Sequence, residues 1–190
     1  MKLVLCNVRL AFPNLWSPKA VQGEGEPKFS ATALIDPNDK SFRVHCRENP
    51  AVRTLDAAFE AVARDKWGTK AAETLKALKA GGRLCLGNGD AKAQYQGFAG
   101  MLYVNASNAI RPPVYDRDGS ELDRADGRPL PGHYVNMSIE LWAQDNKFGR
   151  RINASLRSVQ FVREADVFSG GGVGTSDDFA DLAVSNEFDL

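Results

Sequence analysis

The sequence predicts a mainly β domain: five principal strands, a helical insertion between the second and third, and a flexible acidic C-terminal tail. Three observations lead there. Apolar and polar residues alternate in several separate stretches, the mark of half-buried strands. Residues 50–80 instead repeat their apolar residues at helical spacing. The charges are also divided unevenly. The chain carries 24 bases and 24 acids, yet residues 165–190 hold six acids and no base, so residues 1–164 carry a net charge of +6.

The first strand is read at LVLCNVRLAF (3–12), with Val4, Cys6, Val8, Leu10 and Phe12 sharing the inward parity. FPNLWSPKAVQGEGEPKF, broken by Pro13, Pro18, Gly23, Gly25 and Pro27, reads as a loop. FSATALID (29–36) is the second strand. Asn49-Pro50 then suits a helix cap and first helical residue, and Val52, Leu55, Phe59 and Val62 recur on one face. Ala71, Leu75 and Leu78 form a second stripe after a Thr69 cap, ended by Gly81-Gly82. The third strand is GMLYVNAS (100–107), followed by a long excursion marked by Pro112-Pro113, DRDG and ADGRPLPG. YVNMSIELWAQ (134–144) and RRINASLRSVQFVRE (150–164) are the last two. In the final strand Ile152, Ala154 and Leu156 have one parity while Val159 and Phe161 have the other, which predicts a β-bulge near Ser158. SGGGVG (169–174) is a hinge, dividing a domain at 1–168 from a tail at 169–190 expected to be disordered.

Hydrophobic residues make up 43% of the 190, enough for a real core. No apolar run is long enough to span a membrane, and MKLVLCNVRLAF is a poor signal peptide, so the expected location is the cytoplasm, that of a host cell if the protein is phage-encoded. Cys6, Cys46 and Cys85 form no C-x-x-C pair and fit reduced structural thiols. With only His45 and His133 beside them, no metal site is expected.

The outward faces of the strands are more informative. Asn105-Ala106-Ser107, Asn136-Met137-Ser138 and Asn153-Ala154-Ser155 repeat one pattern in three strands, placing small neutral hydrogen-bonding groups opposite the core. Tyr103, Tyr134, Trp142, Arg9, Arg151 and Arg157 share that parity. Rings interleaved with arginines suit single-stranded nucleic acid, since bases stack on rings and cations track phosphates. The same face also fits an ordinary solvated surface, or a second core beneath the helical insertion. Loops add Trp16, Arg111, Tyr115 and the basic turn Lys147-Phe148-Gly149-Arg150-Arg151 as candidates.

Several stretches, in order, resemble a phage and prophage family of single-stranded-DNA-binding proteins: VRLAFPNLWSPKA, KFSATALID, DKWG (65–68), GFAGMLYVNASN, PPVYDRDG, GHYVNMSIELWAQDN and the tail element SDDFA (176–180). The resemblance covers nearly the whole chain. It implies a five-stranded OB-fold barrel with an acidic tail, binding single-stranded DNA without sequence preference in phage replication or recombination. It implies no cofactor and no catalytic centre. The tail, with Asp177, Asp178, Phe179, Asp181, Glu187, Phe188 and Asp189, is expected to compete with DNA for the basic body and to recruit replication or recombination proteins. It ends in Leu190 rather than in an aromatic residue.

Enzyme motifs are missing: there is no phosphate-binding loop or nucleophile elbow, and Gly87-Asn88-Gly89 lacks the third glycine of a dinucleotide loop. Asp116, Asp118, Asp123 and Asp126 raise a metal-dependent nuclease or a calcium loop as alternatives, but they do not complete a calcium loop and are read instead as turn formers. Strand annealing and RNA binding remain open alternatives on the same barrel, as does the choice between monomer and dimer.

Overall fold

The computed structural model describes residues 1–21 and 24–168. β1 (Lys2–Val21) and β2 (Glu24–Ile35) form a long antiparallel hairpin, and β3 (Arg43–His45) lies against the start of β1. Helices α1 (Leu55–Trp67) and α2 (Ala71–Ala80) follow, joined by a tight turn over Gly68–Lys70. Then come β4 (Leu86–Asn88), β5 (Leu102–Asn108), β6 (Val114–Tyr115), β7 (Glu121–Leu122), β8 (Tyr134–Asn146) and β9 (Gly149–Arg163).

Five strands close on themselves. β1 pairs with β2 and β8, β2 with β5, and β8 with β9, all antiparallel; a parallel contact between Ser107 of β5 and Ser155 of β9 completes the ring. This five-stranded barrel, with helices between its second and third strands, is the OB-fold that the resemblance implied. Its interior holds Leu3, Leu5, Val8, Leu10, Met137, Ile139, Leu141, Ile152 and Leu156, each essentially inaccessible to solvent. Burial of one such side chain stabilises the fold by roughly 1.5–3 kcal/mol. Leu55, Phe59, Val62, Leu75 and Leu78 of the helices belong to the same core, so the insertion seats its apolar stripe on the barrel. The cap of α1 is Thr54, whose hydroxyl accepts from the Ala57 N–H at 3.2 Å, and not Asn49. Asn49 instead organises the turn before it, accepting from the Ala51 N–H. Thr69 lies inside the tight turn and caps nothing.

The bulge expected in the last strand is present. Ser138 faces Ser158 and Ile139 faces Leu156, leaving Arg157 as the extra residue, so both Leu156 and Val159 point inward. The first strand departs from expectation in the same manner. Its register slips between Leu5 and Val8. Leu3 and Leu5 are therefore the core residues of its first half, while Val4 and Cys6 lie half-buried outside. Asn7 makes the slip possible by taking φ 58°, a conformation asparagine tolerates. Its N–H donates to Asn136 Oδ1 at 3.0 Å, and its side-chain amide donates to the Ser41 hydroxyl. The segment read as a loop after Phe12 is instead the outer half of the β1–β2 hairpin, a two-stranded ribbon whose Leu15 is buried in the main core.

A smaller cluster lies outside the barrel wall, where Ala11, Leu34, Phe98 and Phe168 pack together with Met101 and Tyr103 beside them. Here the chain beyond β9 is tied down. The Phe168 N–H donates to the Pro131 carbonyl, and Arg9 donates to the carbonyls of Gly132 (3.0 Å) and Asp166 (2.8 Å) while its guanidinium covers the Phe168 ring. Gly97 is required at this point. It has φ 85°, and a Cβ there would lie 2.4 Å from the Phe168 ring. The described chain ends at this anchor.

His133 sits in the turn entering β8, buried, with Nδ1 accepting from the Leu130 N–H at 3.2 Å. Burial holds its pKa below the usual 6.5, against a weaker opposing pull from Glu164. The folded state thus prefers the neutral ring, and the stabilisation is present above pH 6.5 and lost as pH falls through the depressed value. The thermal midpoint is expected to drop between pH 7.5 and 5, and His133→Gln is expected to flatten that part of a calorimetric pH profile.

Candidate nucleic-acid interface

Barrel closure brings the outward faces of β2, β5, β8 and β9 around one open cleft of about 800 Å³. Its walls include Ser30 and Thr32 of β2, Asn105 and Ser107 of β5, Trp142 and Gln144 of β8, and Arg151, Asn153 and Ser155 of β9. Lys28 and Phe12 stand on its rim side, contributed by the ribbon. None of the lining residues is acidic. Two of the three Asn-x-Ser repeats, from β5 and β9, therefore meet in this cleft. The third, Asn136 and Ser138, lines a separate shallow depression with Tyr115, Ser158 and Gln160.

The polar groups of the cleft are largely paired with one another. The Thr32 hydroxyl donates to Asn105 Oδ1 at 2.7 Å, the Trp142 indole N–H donates to Ser155 Oγ at 3.1 Å, and Asn153 Nδ2 donates to Gln144 Oε1 at 3.3 Å. The indole is fixed by that bond, yet 44% of Trp142 remains exposed. The helical insertion does not cover it; Trp67 of α1 reaches only as far as Asp145, donating to Oδ2 at 2.8 Å. That hydrogen bond, with the charge of Arg150 behind it, holds the Asp145 carboxyl below its usual range.

The predicted binding residues separate into groups. Trp142 and Arg151 line the cleft. Trp16 lies in a neighbouring depression, with the Arg111 guanidinium 5.0 Å above its ring. Phe148, 73% exposed at the tip of the β8–β9 hairpin, has the Lys147 ammonium 5.0 Å from its ring. Arg150 is bound to Asp145 at 3.0 Å, and Arg157 approaches Glu140 at 3.5 Å from the bulge in β9. Tyr115 belongs to the separate depression, away from the cleft. Arg9 points at the C-terminal anchor and spends its donors on main-chain carbonyls. Tyr103 is absent from the cleft lining. It packs on Phe98 at 5.8 Å, with the Lys92 ammonium 4.4 Å over its ring, so it belongs to the outer cluster. Gly87 beneath it allows this close approach, since a Cβ there would fall 2.3 Å from the Tyr103 ring. Asp177, Asp178, Phe179, Asp181, Glu187, Phe188 and Asp189 lie outside the described residues.

Sequence reasoning missed two rings. Phe12, assigned to the core, is 48% exposed with φ 46°, and Tyr95 beside it is 45% exposed; the two rings meet edge to face at 5.1 Å. Nothing in the period of β1 distinguished Phe12 from a core residue. The signal was only the Pro13 that follows it, which disturbs the strand at that point.

With this geometry in view, the comparisons with known proteins are informative. A family model described as the single-stranded-DNA-binding protein of Enterobacter phage Enc34 matches residues 1–189. The chain belongs to that family. Protein p50 of Acyrthosiphon pisum secondary endosymbiont phage 1 is 42% identical over all of this chain and 98% of its own. The Enc34 protein solved in complex with single-stranded DNA superposes with a TM-score of 0.69 at 25% identity, covering 88% of this chain and 89% of that one. The single-stranded-DNA-binding protein gp2.5 of bacteriophage T7 shares the fold at a TM-score of 0.54 and 12% identity, covering 92% and 98% of the two chains.

Among the described residues no group of three or more His, Cys, Asp or Glu could hold a metal ion. The aspartates of the excursion act as local acceptors. Asp116 pairs with Arg128, Asp118 caps the Ser120 turn, and Asp123 and Asp126 bond each other's backbone in a capping box. Cys85, at the cleft wall, has its thiol pushed up to about 12 by burial. At pH 8 only about one thiolate in ten thousand is then present. Alkylation of Cys85 by iodoacetamide at that pH, followed by peptide mass spectrometry, is expected to be at least about a hundredfold slower in the native protein than in urea.

Proposed function

We propose that the protein coats single-stranded DNA without sequence preference during phage replication or recombination, gripping the strand in the barrel cleft. The observation that carries this reading is the cleft itself: an acid-free channel across a closed OB barrel, with an exposed, hydrogen-bond-fixed Trp142 beside Arg151 and Lys28. Family membership over residues 1–189 supports the ligand class.

The chemistry of the walls accounts for tolerance of sequence. Discrimination between bases needs unpaired donors and acceptors aimed at base edges. Here Thr32, Asn105, Gln144, Asn153 and Ser155 are engaged with one another or with Trp142. A base that enters therefore gains mainly from stacking, which every base offers, and from phosphate contacts with cations at the margin. The positions we assign to this contact are Trp142, Arg151 and Lys28, with Lys147, Phe148 and Arg150 at the hairpin tip extending it. Arg9 and Tyr103 are better suited to holding the wall in shape. We read the protein as a binder and not an enzyme, since the excursion's aspartates serve as turn acceptors.

The acidic tail completes the proposal. Beyond the Phe168 anchor, residues 169–190 carry five acids and no base; this segment competes with phosphates for the basic body, and once displaced by DNA it is free to recruit replication or recombination proteins. The working compartment is the cytoplasm of the infected host.

Two measurements test these assignments. In fluorescence-anisotropy titrations with labelled poly-dT, Trp142→Ala is expected to weaken binding about tenfold with an unchanged salt slope, whereas Arg151→Ala lowers the slope by about one phosphate's share. Deleting residues 169–190 is expected to tighten binding at low salt, with the difference shrinking as salt is raised. Equal affinity of the full-length and truncated proteins at low salt would count against a competing tail.

A further inference from the structure

The cleft has a neighbour. Phe12, Pro13, Asn14, Trp16 and Lys19 of the ribbon face Pro129, Leu130 and Pro131 across a second depression of about 450 Å³. Phe12 lines both spaces, so its ring stands at the junction between them. We propose that this depression is a second subsite for the same strand, taking one or two nucleotides that flank those in the cleft, and that Phe12 is the wedge between the two lobes. The inference rests on the single-stranded-DNA reading and adds a path and a divider to it.

Four features of the molecule converge on that role. The first is backbone strain. Ala11 faces Thr32 and Asn14 faces Ser30, so Phe12 and Pro13 together oppose Ala31 alone, forming a β-bulge. Phe12 takes φ 46° at this bulge, where glycine is the residue that fits without cost. An aromatic held in the left-handed region, with 48% of it exposed, is not explained by core packing. The second is support. Phe98, fully buried, lies 5.4 Å behind the Phe12 ring, and Tyr95 meets its edge at 5.1 Å, so the wedge is braced.

The third feature is charge. Lys19 and Lys28 face each other directly across the ribbon, one lining each lobe. Like charges in register repel, and neither lysine has an ion-pair partner among the described residues. A phosphate passing between the lobes would meet both. The fourth is the wall chemistry. Trp16 offers a ring held under the Arg111 guanidinium, the prolines and the half-exposed Leu130 offer flat apolar surface, and no acid lines the depression. Such walls suit the face of a base and have little to read its edge with.

The test uses oligo-dT of graded length, from about 4 to about 20 nucleotides, with the full-length chain and three variants. Wild type is expected to gain affinity with length until both lobes are filled. Phe12→Gly removes the ring and relieves the backbone, so its thermal midpoint should stay at or above that of wild type while it loses about tenfold in affinity for long strands and little for the shortest. Trp16→Leu is expected to show the same length-dependent loss. Trp142→Ala, in the first lobe, should weaken binding at every length. If Phe12→Gly binds long strands as wild type does, or loses affinity equally at all lengths, the two-lobed path is wrong while the cleft reading stands. If wild type fails to bind oligo-dT of any length, the single-stranded-DNA reading falls first and this one with it.

Discussion

Closure of the barrel by the parallel contact between Ser107 and Ser155 is the constraint on which the rest depends. Without it, β5 and β9 would stand at the two ends of the β5-β2-β1-β8-β9 series with their Asn-x-Ser faces apart. Joining them places Asn105, Ser107, Asn153 and Ser155 in one concave wall. The residues at the seam are small. Larger outward side chains there would fill the cleft that the seam creates. Trp142, on the next strand over, can then lay its indole along that wall because Ser155 is short enough to leave room and polar enough to accept its N–H.

The irregularities of the strands are as important as their pairing. A barrel of uniform strands would alternate inward and outward residues without interruption along each strand. Among the several breaks in that rule, three matter here: β1 at Asn7 and at Phe12, and β9 at Arg157. Each break turns a side chain outward that the alternating pattern would have buried or paired. Asn7 reaches the β3 side through Ser41, Arg157 meets Glu140, and Phe12 reaches the rim of the cleft. Bulges thus give the barrel the curvature it needs and deliver its atypical outward residues in the same step.

Legibility in the sequence follows from how one-sided each signal is. The bulge in β9 could be read because Ile152, Ala154 and Leu156 define one parity and Val159 and Phe161 clearly the other. The first slip in β1 could not, because Leu3 and Leu5 compete with Val4 and Cys6, and both parities are apolar. The outer ribbon reads as a loop in the sequence because its prolines and glycines are turn residues in most contexts. A two-stranded ribbon has no further neighbour on either side, so Pro13, Pro18 and Pro27 can sit where the sheet needs no donor. Trp142 and Tyr103 carry the same parity signal and meet different fates. Which outward ring stays exposed is decided by Phe98, Lys92 and the returning chain at Phe168, contacts made across distances in sequence that no local pattern records.

The division of charge follows the same logic of place. The polar side chains of the cleft are largely paired with one another, so its attraction for an anion comes from the cations in and around it. There Lys28, Arg151, Arg111 and Lys147 stand beside rings or open space and are absent from the ion pairs of the described residues, whereas Arg150, Arg128 and Lys79 are tied to carboxylates. A free cation at the margin of a neutral groove attracts a polyanion along its length without fixing any one base in register. Such an arrangement suits a strand held along its length without regard to its sequence. Arg9 and Phe168 fix where the described chain leaves the body, beside Phe98, against which the Phe12 ring also packs at 5.4 Å. The tail competition proposed above would start from that point, with the five acids of residues 169–190 leaving the body near the junction of the two proposed lobes.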